Sequence, residues 1–399
     1  MKIFYIKLYS YYFLKFYSLL LISSLFNISI TKKNPMILSF KEGNYSKEYN
    51  NLFNFIISNG GYINQKLIPN EISNINRFII AKEKIKKDEK LLFIPDKVLI
   101  SQIHKLIFKE CRDAYGIEDG FEYDCIVYFM TIDKYIPSSF FKPYYDYLPS
   151  FNKSDFILDF TQEEIDMFKG TGITEGMRSY KVFYNRAYEP VKDKLKKFAE
   201  KHNIKHDKII EDFKYNFDLV ATRNFGRPGS YCDINTMVPF LDLLNHSDKN
   251  NTYWYYEDID GGYTLIALRD IEKNEEITDS YGMYHNSMLY KTYGFVIPGN
   301  SYHEYVYVDI NGESFTLNFD YFKSIVNSMF EKLVNKQKFS FDDAKECILK
   351  NLNEKKNYYL NLKTNRFNMN VIIQEHIQIL NRTIENVQKF EMKRKYYLN

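Results

Sequence analysis

Cysteine is scarce in this chain: four residues in 399, at positions 111, 125, 232 and 347, with no Cys-x-x-Cys spacing. That pattern excludes the common structural zinc modules and reads as lone thiols of a reducing compartment. An excess of one charge is also missing. The 54 Lys and Arg against 51 Asp and Glu leave a net charge of +3 and no long basic run, so there is no electrostatic footprint for nucleic acid. The closing Lys393-Arg394-Lys395 reads as a solvated tail. Long apolar runs are lacking too. The cleanest, Phe16 to Ile30, follows Lys7 and Lys15 and falls short of the ~20 residues a membrane span needs. Neither an internal repeat nor a low-complexity linker is present. What remains is 45% hydrophobic and 26% charged, long enough for two domains with their own cores.

The chemistry concentrates between Phe240 and Phe295. The block Phe240-Leu241-Asp242-Leu243-Leu244-Asn245-His246-Ser247 precedes a strand-like run from Tyr263 to Ile271 and Asn274-Glu275-Glu276-Ile277. Ser280-Tyr281-Gly282, Asn286 and Tyr293-Gly294-Phe295 close it. Alone, Asn245-His246 is most simply a strand end, and Tyr281-Gly282 a turn among 36 tyrosines. Their order and spacing resemble the SET domain of protein methyltransferases. Ser139-Phe140-Phe141-Lys142-Pro143-Tyr144 with Tyr147-Leu148-Pro149 resembles a signature of one branch. That branch contains Rubisco large-subunit methyltransferase and the actin-histidine methyltransferase. Phe78-Ile79-Ile80-Ala81 through Ile94-Pro95 is similar to the amino-terminal half of the same domain.

The resemblance implies an α+β fold: a β-rich SET core with its pseudoknot, split by a helical insert and followed by a helical carboxy-terminal domain of the substrate-binding type. The expected limits are an apolar extension over 1–35, a SET domain over 36–300 with its insert at about 102–216, and the last domain over 301–399. It implies S-adenosylmethionine as cofactor, a lysine side chain of a protein as substrate, no metal, no nucleic acid and a monomer. Arg223 would pair with the cofactor carboxylate. Asn245 and His246 would bind its amino group and adenine, Phe295 would stack near the adenine, and Asp242 would bind the cofactor or only brace the pseudoknot. Tyr281 would be the catalytic group facing the methyl, with Phe225, Tyr284 and Tyr293 along the substrate channel. The branch's histidine enzyme carries Asn and Arg where this chain has Phe225 and Tyr284, so lysine is favoured over histidine as the acceptor.

One departure stands out. Members carry Gly-x-Gly where this chain has Asn76-Arg77-Phe78, a place where backbone approaches the cofactor and glycine tolerates positive φ. With Phe78 there, either the backbone shifts and still reaches the cofactor, or the domain is an inactive binding module. Cofactor chemistry and lone thiols point to cytoplasm or nucleus. So does Asn245-His246-Ser247, a glycosylation sequon in the expected pocket. Residues 1–35 have two readings: a signal or anchor, or an extension ahead of a true start at Met36.

Elsewhere the pattern predicts a short helix over Asn50 to Ser58, stopped by Gly60-Gly61. Paired strands are expected over Arg77 to Ile100, and mainly helix from Gln102 to Asn216. Within that stretch, Thr161-Gln162-Glu163-Glu164 is a capping-type start, and Tyr188 to His202 reads as one lysine-rich helix. A hairpin turns at Asn311-Gly312. Helical stripes follow: Phe322, Ile325, Val326, Met329, Phe330 and Leu333 on one face, then Val371 to Met392.

Overall fold

The structure, a computed structural model, describes residues 46–71, 77–101, 104–116, 122–149, 157–166, 172–226, 235–300, 304–364 and 366–391. The 1–35 extension, Met36, Asn76, Cys232 and the tail Lys393-Arg394-Lys395 lie outside them.

Helix α1 (Lys47–Ser58) opens on Ser46, whose hydroxyl accepts the Tyr49 N–H at 3.1 Å. Strands β1 (Tyr62–Ile63), β2 (Leu67–Glu71), β3 (Arg77–Ala81), β4 (Lys90–Pro95) and β5 (Ile100–Ser101) follow. The helical insert then runs through α2 (Lys105–Tyr115), α3 (Glu122–Asp133), α4 (Lys142–Tyr145), α5 (Gln162–Asp166), α6 (Gly172–Tyr188), α7 (Lys192–Lys201) and α8 (His206–Arg223). The capping box ahead of α5 is reciprocal: the Glu164 N–H donates to Thr161 Oγ1 at 3.2 Å, and the Thr161 N–H to Glu164 Oε2 at 2.8 Å. The lysine-rich segment is not one helix from Tyr188. Pro190 has no N–H to donate and disfavours helix at Glu189, so α6 stops at Tyr188 and α7 starts at Lys192.

After α8 the chain forms β6 (Asn224–Phe225), β7 (Thr236–Met237), β8 (Asn245–His246), β9 (Thr252–Glu257), β10 (Gly262–Ala267) and β11 (Glu276–Asp279). Three small sheets result, ordered β1-β4-β10-β9, β2-β3-β11-β8 and β5-β7-β6. The strands over 77–100 are therefore not partners of each other: β3 pairs with β2 and β11, while β4 pairs with β1 and β10. Alternation marks a strand but not its neighbour, and the turn between these two leads into a different sheet. The parallel β8–β11 pairing, Asn245 to Thr278 and His246 to Asp279, brings the Asn-His segment beside the strand that leads into Tyr281.

Helix α9 (Asn286–Tyr293) ends on Gly294 in the left-handed conformation. Strands β12 (Val306–Ile310) and β13 (Glu313–Leu317) join at Asn311-Gly312, both at positive φ, as a tight hairpin turn requires. Helices α10 (Phe322–Glu331), α11 (Phe341–Asn361) and α12 (Phe367–Gln388) follow. Phe322, Val326, Met329, Phe330 and Leu333 are buried as the stripe predicts, and Ile325 packs against them partly buried. That core also takes in Met177 of α6 and Tyr290 of α9, so the carboxy-terminal helices share their interior with the helical insert and the end of the strand-rich region.

One expectation is overturned. Cys111 of α2 and Cys125 of α3 are not lone thiols. The two helices set their Cα atoms 5.2 Å apart and the sulfurs are bonded. A separation of 14 residues forms no recognised motif, so only the helix packing reveals the pair. Replacing both by serine should lower stability by about 3 kcal/mol, the loop-closure value for about 15 residues. The measurement is a urea midpoint shift between variant and parent that vanishes when both are fully reduced.

Candidate active site

Two cavities meet at Tyr281. The first, about 360 Å³, is walled by Arg77, Pro149, Leu243, Asn245, His246 and Phe295. The second, about 200 Å³, is walled by Asn224, Phe225, Gly226, Leu241, Leu244, Trp254, Asp279 and Ser280. Thr222, Arg223, Asp242, Tyr281 and Tyr293 belong to both. The larger volume falls in the range of small-molecule sites, while the smaller one suits a single narrow side chain.

Tyr281 is held from three directions. Its hydroxyl donates to the Leu244 carbonyl at 2.6 Å, its N–H donates to His246 Nδ1 at 3.0 Å, and the Tyr293 ring lies 4.8 Å away. Burial raises its pKa well beyond that of a free phenol, so the hydroxyl stays protonated as a donor. Gly282 follows at φ +128°, and a Cβ there would sit 2.5 Å from the Tyr284 ring. The Tyr-Gly turn thus requires glycine on both counts.

His246 supplies the scaffold. Nδ1 accepts the Tyr281 N–H, so Nε2 carries the proton and donates to Asp248 Oδ1 at 3.2 Å. Burial lowers its pKa, opposed by Asp248. Protonating Nδ1 would set two N–H groups against each other. The side chain is therefore satisfied within the protein, which leaves its backbone and ring face for a ligand.

Arg223 ends α8. Its Nη1 donates to the Asp242 carbonyl at 2.6 Å and lies 3.6 Å from Asp242 Oδ2. The Tyr144 hydroxyl donates to the same Oδ2 at 2.9 Å, which ties the Pro143-Tyr144 motif to the site. Burial raises the Asp242 pKa, opposed by Arg223 and Tyr144. Its Oδ1 is buried with no hydrogen-bond partner among the described residues. Such an orphaned acceptor at a cavity wall is costly unless a ligand satisfies it. Asn245 is exposed, its amide donating to Glu276 Oε1 at 2.8 Å, so its contact with a ligand is not in a buried site.

Of the residues expected from the sequence, Arg223, Asp242, Asn245, His246, Tyr281, Phe225, Tyr293 and Phe295 come together around these cavities. Phe78 does not line them. On β3 it pairs with Asn70 of β2, and the preceding Arg77 takes the wall position. Tyr284 is not on the channel wall either, its ring packing on Gly282. Arg77, Tyr144, Trp254 and Asp279 were missed. Trp254, the single tryptophan, and Asp279, a carboxylate in step with the buried Ile277 on β11, carried the readable signals.

A model of the SET domain matches residues 76–282, and the chain belongs to that family. It is 27% identical over 233 residues to the N-lysine methyltransferase setd6 of Danio rerio, covering 55% of this chain and 50% of that protein. It is 24% identical over 251 residues to ribosomal lysine N-methyltransferase 4 of Saccharomyces cerevisiae, covering 56% and 49%. The chain thus spans about half the length of the curated relatives it matches. Rubisco LSMT bound to sinefungin and monomethyllysine superposes with a TM-score of 0.61 at 14% identity, over 88% of this chain and 95% of that one. That likeness shows the shared fold.

Proposed function

We propose that this protein is an S-adenosylmethionine-dependent protein methyltransferase acting on lysine. The observation that carries the reading is the meeting of a ligand-sized cavity and a narrow aromatic one at Tyr281. The walls fit the cofactor chemically. Arg223 offers a guanidinium for its carboxylate, the orphaned Asp242 Oδ1 an acceptor for its amino group, and Phe295 an apolar ring for the adenine. The names of the relatives support lysine as the acceptor, and the matched domain supports the chemistry.

When bound, S-adenosylmethionine supplies a sulfonium methyl group open to in-line displacement by an amine. The protein's part is positional, and holding reactants in line is worth about 7–11 kcal/mol. Phe225, Trp254 and Tyr293 line the amine's approach and keep water from it. Phe225 stands edge-on to Trp254 at 5.4 Å and offers an imidazole no hydrogen bond, which favours lysine over histidine. Tyr281 belongs to both cavities and its hydroxyl is bonded to the carbonyl of Leu244 in the smaller one, and such oxygen atoms can hold a polarised methyl by weak C–H···O contacts.

The test is tritiated-methyl labelling of a cell lysate with the full chain, followed by mass spectrometry of the modified residue. A labelled lysine is expected. Label on histidine would redirect the reading, and no label from folded protein at saturating cofactor would leave only the binding module. For localisation we infer cytoplasm or nucleus from the cofactor alone, since the bonded Cys111 and Cys125 withdraw the thiol argument. Alkali-resistant membrane retention of a carboxy-terminal fusion would sink that inference.

A further inference from the structure

We propose that Asp279 is the anionic group that draws a lysine ammonium into the smaller cavity and orients it there, a role that rests on the methyltransferase reading. Asp279 closes β11, whose alternation turns Ile277 and Asp279 inward. An inward position on such a strand ordinarily takes an apolar side chain, and here a carboxylate only 5% exposed lines the cavity instead. Around it stand Phe225, Trp254, Tyr281 and Tyr293.

Burial raises its pKa to about 6, opposed by the Ser280 N–H and the Trp254 side chain, so the group is ionised at neutral pH. Among the described residues no Lys, Arg or His forms an ion pair with it. Arg223, the cation of the same wall, pairs with Asp242. A buried carboxylate without a counter-ion is costly, and an entering ammonium would offset that cost. A neutral side chain would not.

The titratable and charged groups facing Asp279 are Tyr281 and Tyr293, then Arg223 and Asp242 across the cavity, and His246 in register on β8. Burial pushes Tyr293 up to about 12, and Tyr281 is raised further. His246 is held neutral by its bond from the Tyr281 N–H. Asp279 therefore loses its charge as the pH falls through about 6, and because burial also raises the Asp242 carboxyl of the same wall, substitution at Asp279 tells the two apart. It forms no covalent bond in this role. It attracts the cation, and after deprotonation to solvent it accepts a remaining N–H, leaving the nitrogen lone pair free.

Trp254 makes the idea measurable, because the only tryptophan lines this cavity beside Asp279. Titrate the full chain with n-butylammonium chloride and, separately, with 1-butanol as the uncharged match, reading Trp254 fluorescence. At pH 8 the ammonium should bind about tenfold more tightly, the size of one charge-assisted contact. That preference should fade as the pH falls through about 6 in the native chain. It should be absent in Asp279→Asn and retained in Asp279→Glu. Equal binding of the two probes by the native chain at pH 8 would overturn the role. So would a preference that survives in Asp279→Asn with an unchanged Tm. If Asp279→Asn is misfolded, Asp279→Ser takes its place in the same comparison, and a preference that survives in it would overturn the role. Preference for the ammonium without methyl labelling would sink the methyltransferase reading and leave Asp279 as a cation site. Labelling without preference would sink only the Asp279 role.

Discussion

Tyr281→Phe is expected to lower kcat by about 10²–10⁴, the range for a positioned catalytic group, while cofactor affinity barely moves. The substitution removes one atom. That atom donates to the carbonyl of Leu244, a residue of the smaller cavity, whereas the ring, its 4.8 Å packing on Tyr293 and the backbone N–H to His246 all remain. Losing the hydroxyl leaves the Leu244 carbonyl without that donor and removes an oxygen that, under the proposed reading, would hold the transferred methyl. Single-turnover rates on the substrate found by labelling, with cofactor titration calorimetry and Tm on the same preparation, separate the outcomes. Near-native turnover from a folded variant would make Tyr281 a turn residue only and would remove the centre of the mechanism.

Much of this was legible before the structure, and for a physical reason. The site is built from short contiguous segments, and each has a local signature: an Asn-His strand end, a Tyr-Gly turn that demands glycine, an aromatic pair after α9. Segments that owe their roles to distant partners were not legible. Tyr144 matters because it reaches Asp242 across 98 residues. Arg77 lines the cavity because β3 is hydrogen-bonded between β2 and β11, a neighbour that strand alternation cannot specify. The Cys111–Cys125 bond depends on how two helices pack. Phe78 was expected at the cofactor by analogy with a glycine position, but a strand alternates its side chains, and it is the preceding Arg77 that lines the cavity. Asp279 was readable in principle as a charge on an otherwise apolar face. The residues flanking it drew the reading toward Tyr281 instead.

Glu304→Ala should cost about 3–5 kcal/mol of stability, the usual consequence of breaking a buried charged cluster by removing one member. Glu304 is 2% exposed. Its Oε1 accepts the Ser287 N–H and lies 3.1 Å from His285 Nδ1, while Oε2 accepts the Ser287 hydroxyl at 2.7 Å and lies 3.4 Å from His376 Nε2. It therefore fastens the start of α9, just beyond Tyr281-Gly282, to α12 of the carboxy-terminal helices. Burial alone would raise its pKa, but the hydrogen bonds from His285 and His376 outweigh that and hold the carboxyl far below the usual range. Because the folded pKa lies below the unfolded value of about 4.3, this stabilisation is complete above that pH and is lost as the pH falls further. Glu375, beside it on α12, has the opposite sign. Burial raises its pKa to about 7 despite the bond from the Asn286 amide, so its ionisation destabilises the fold as the pH rises from about 4.3 to about 7. Urea unfolding at pH 8 should thus show Glu304→Ala strongly destabilised and Glu375→Gln more stable than the native chain. Glu304→Ala unfolding with the native midpoint at pH 8 would mean that this cluster does not hold the two regions together.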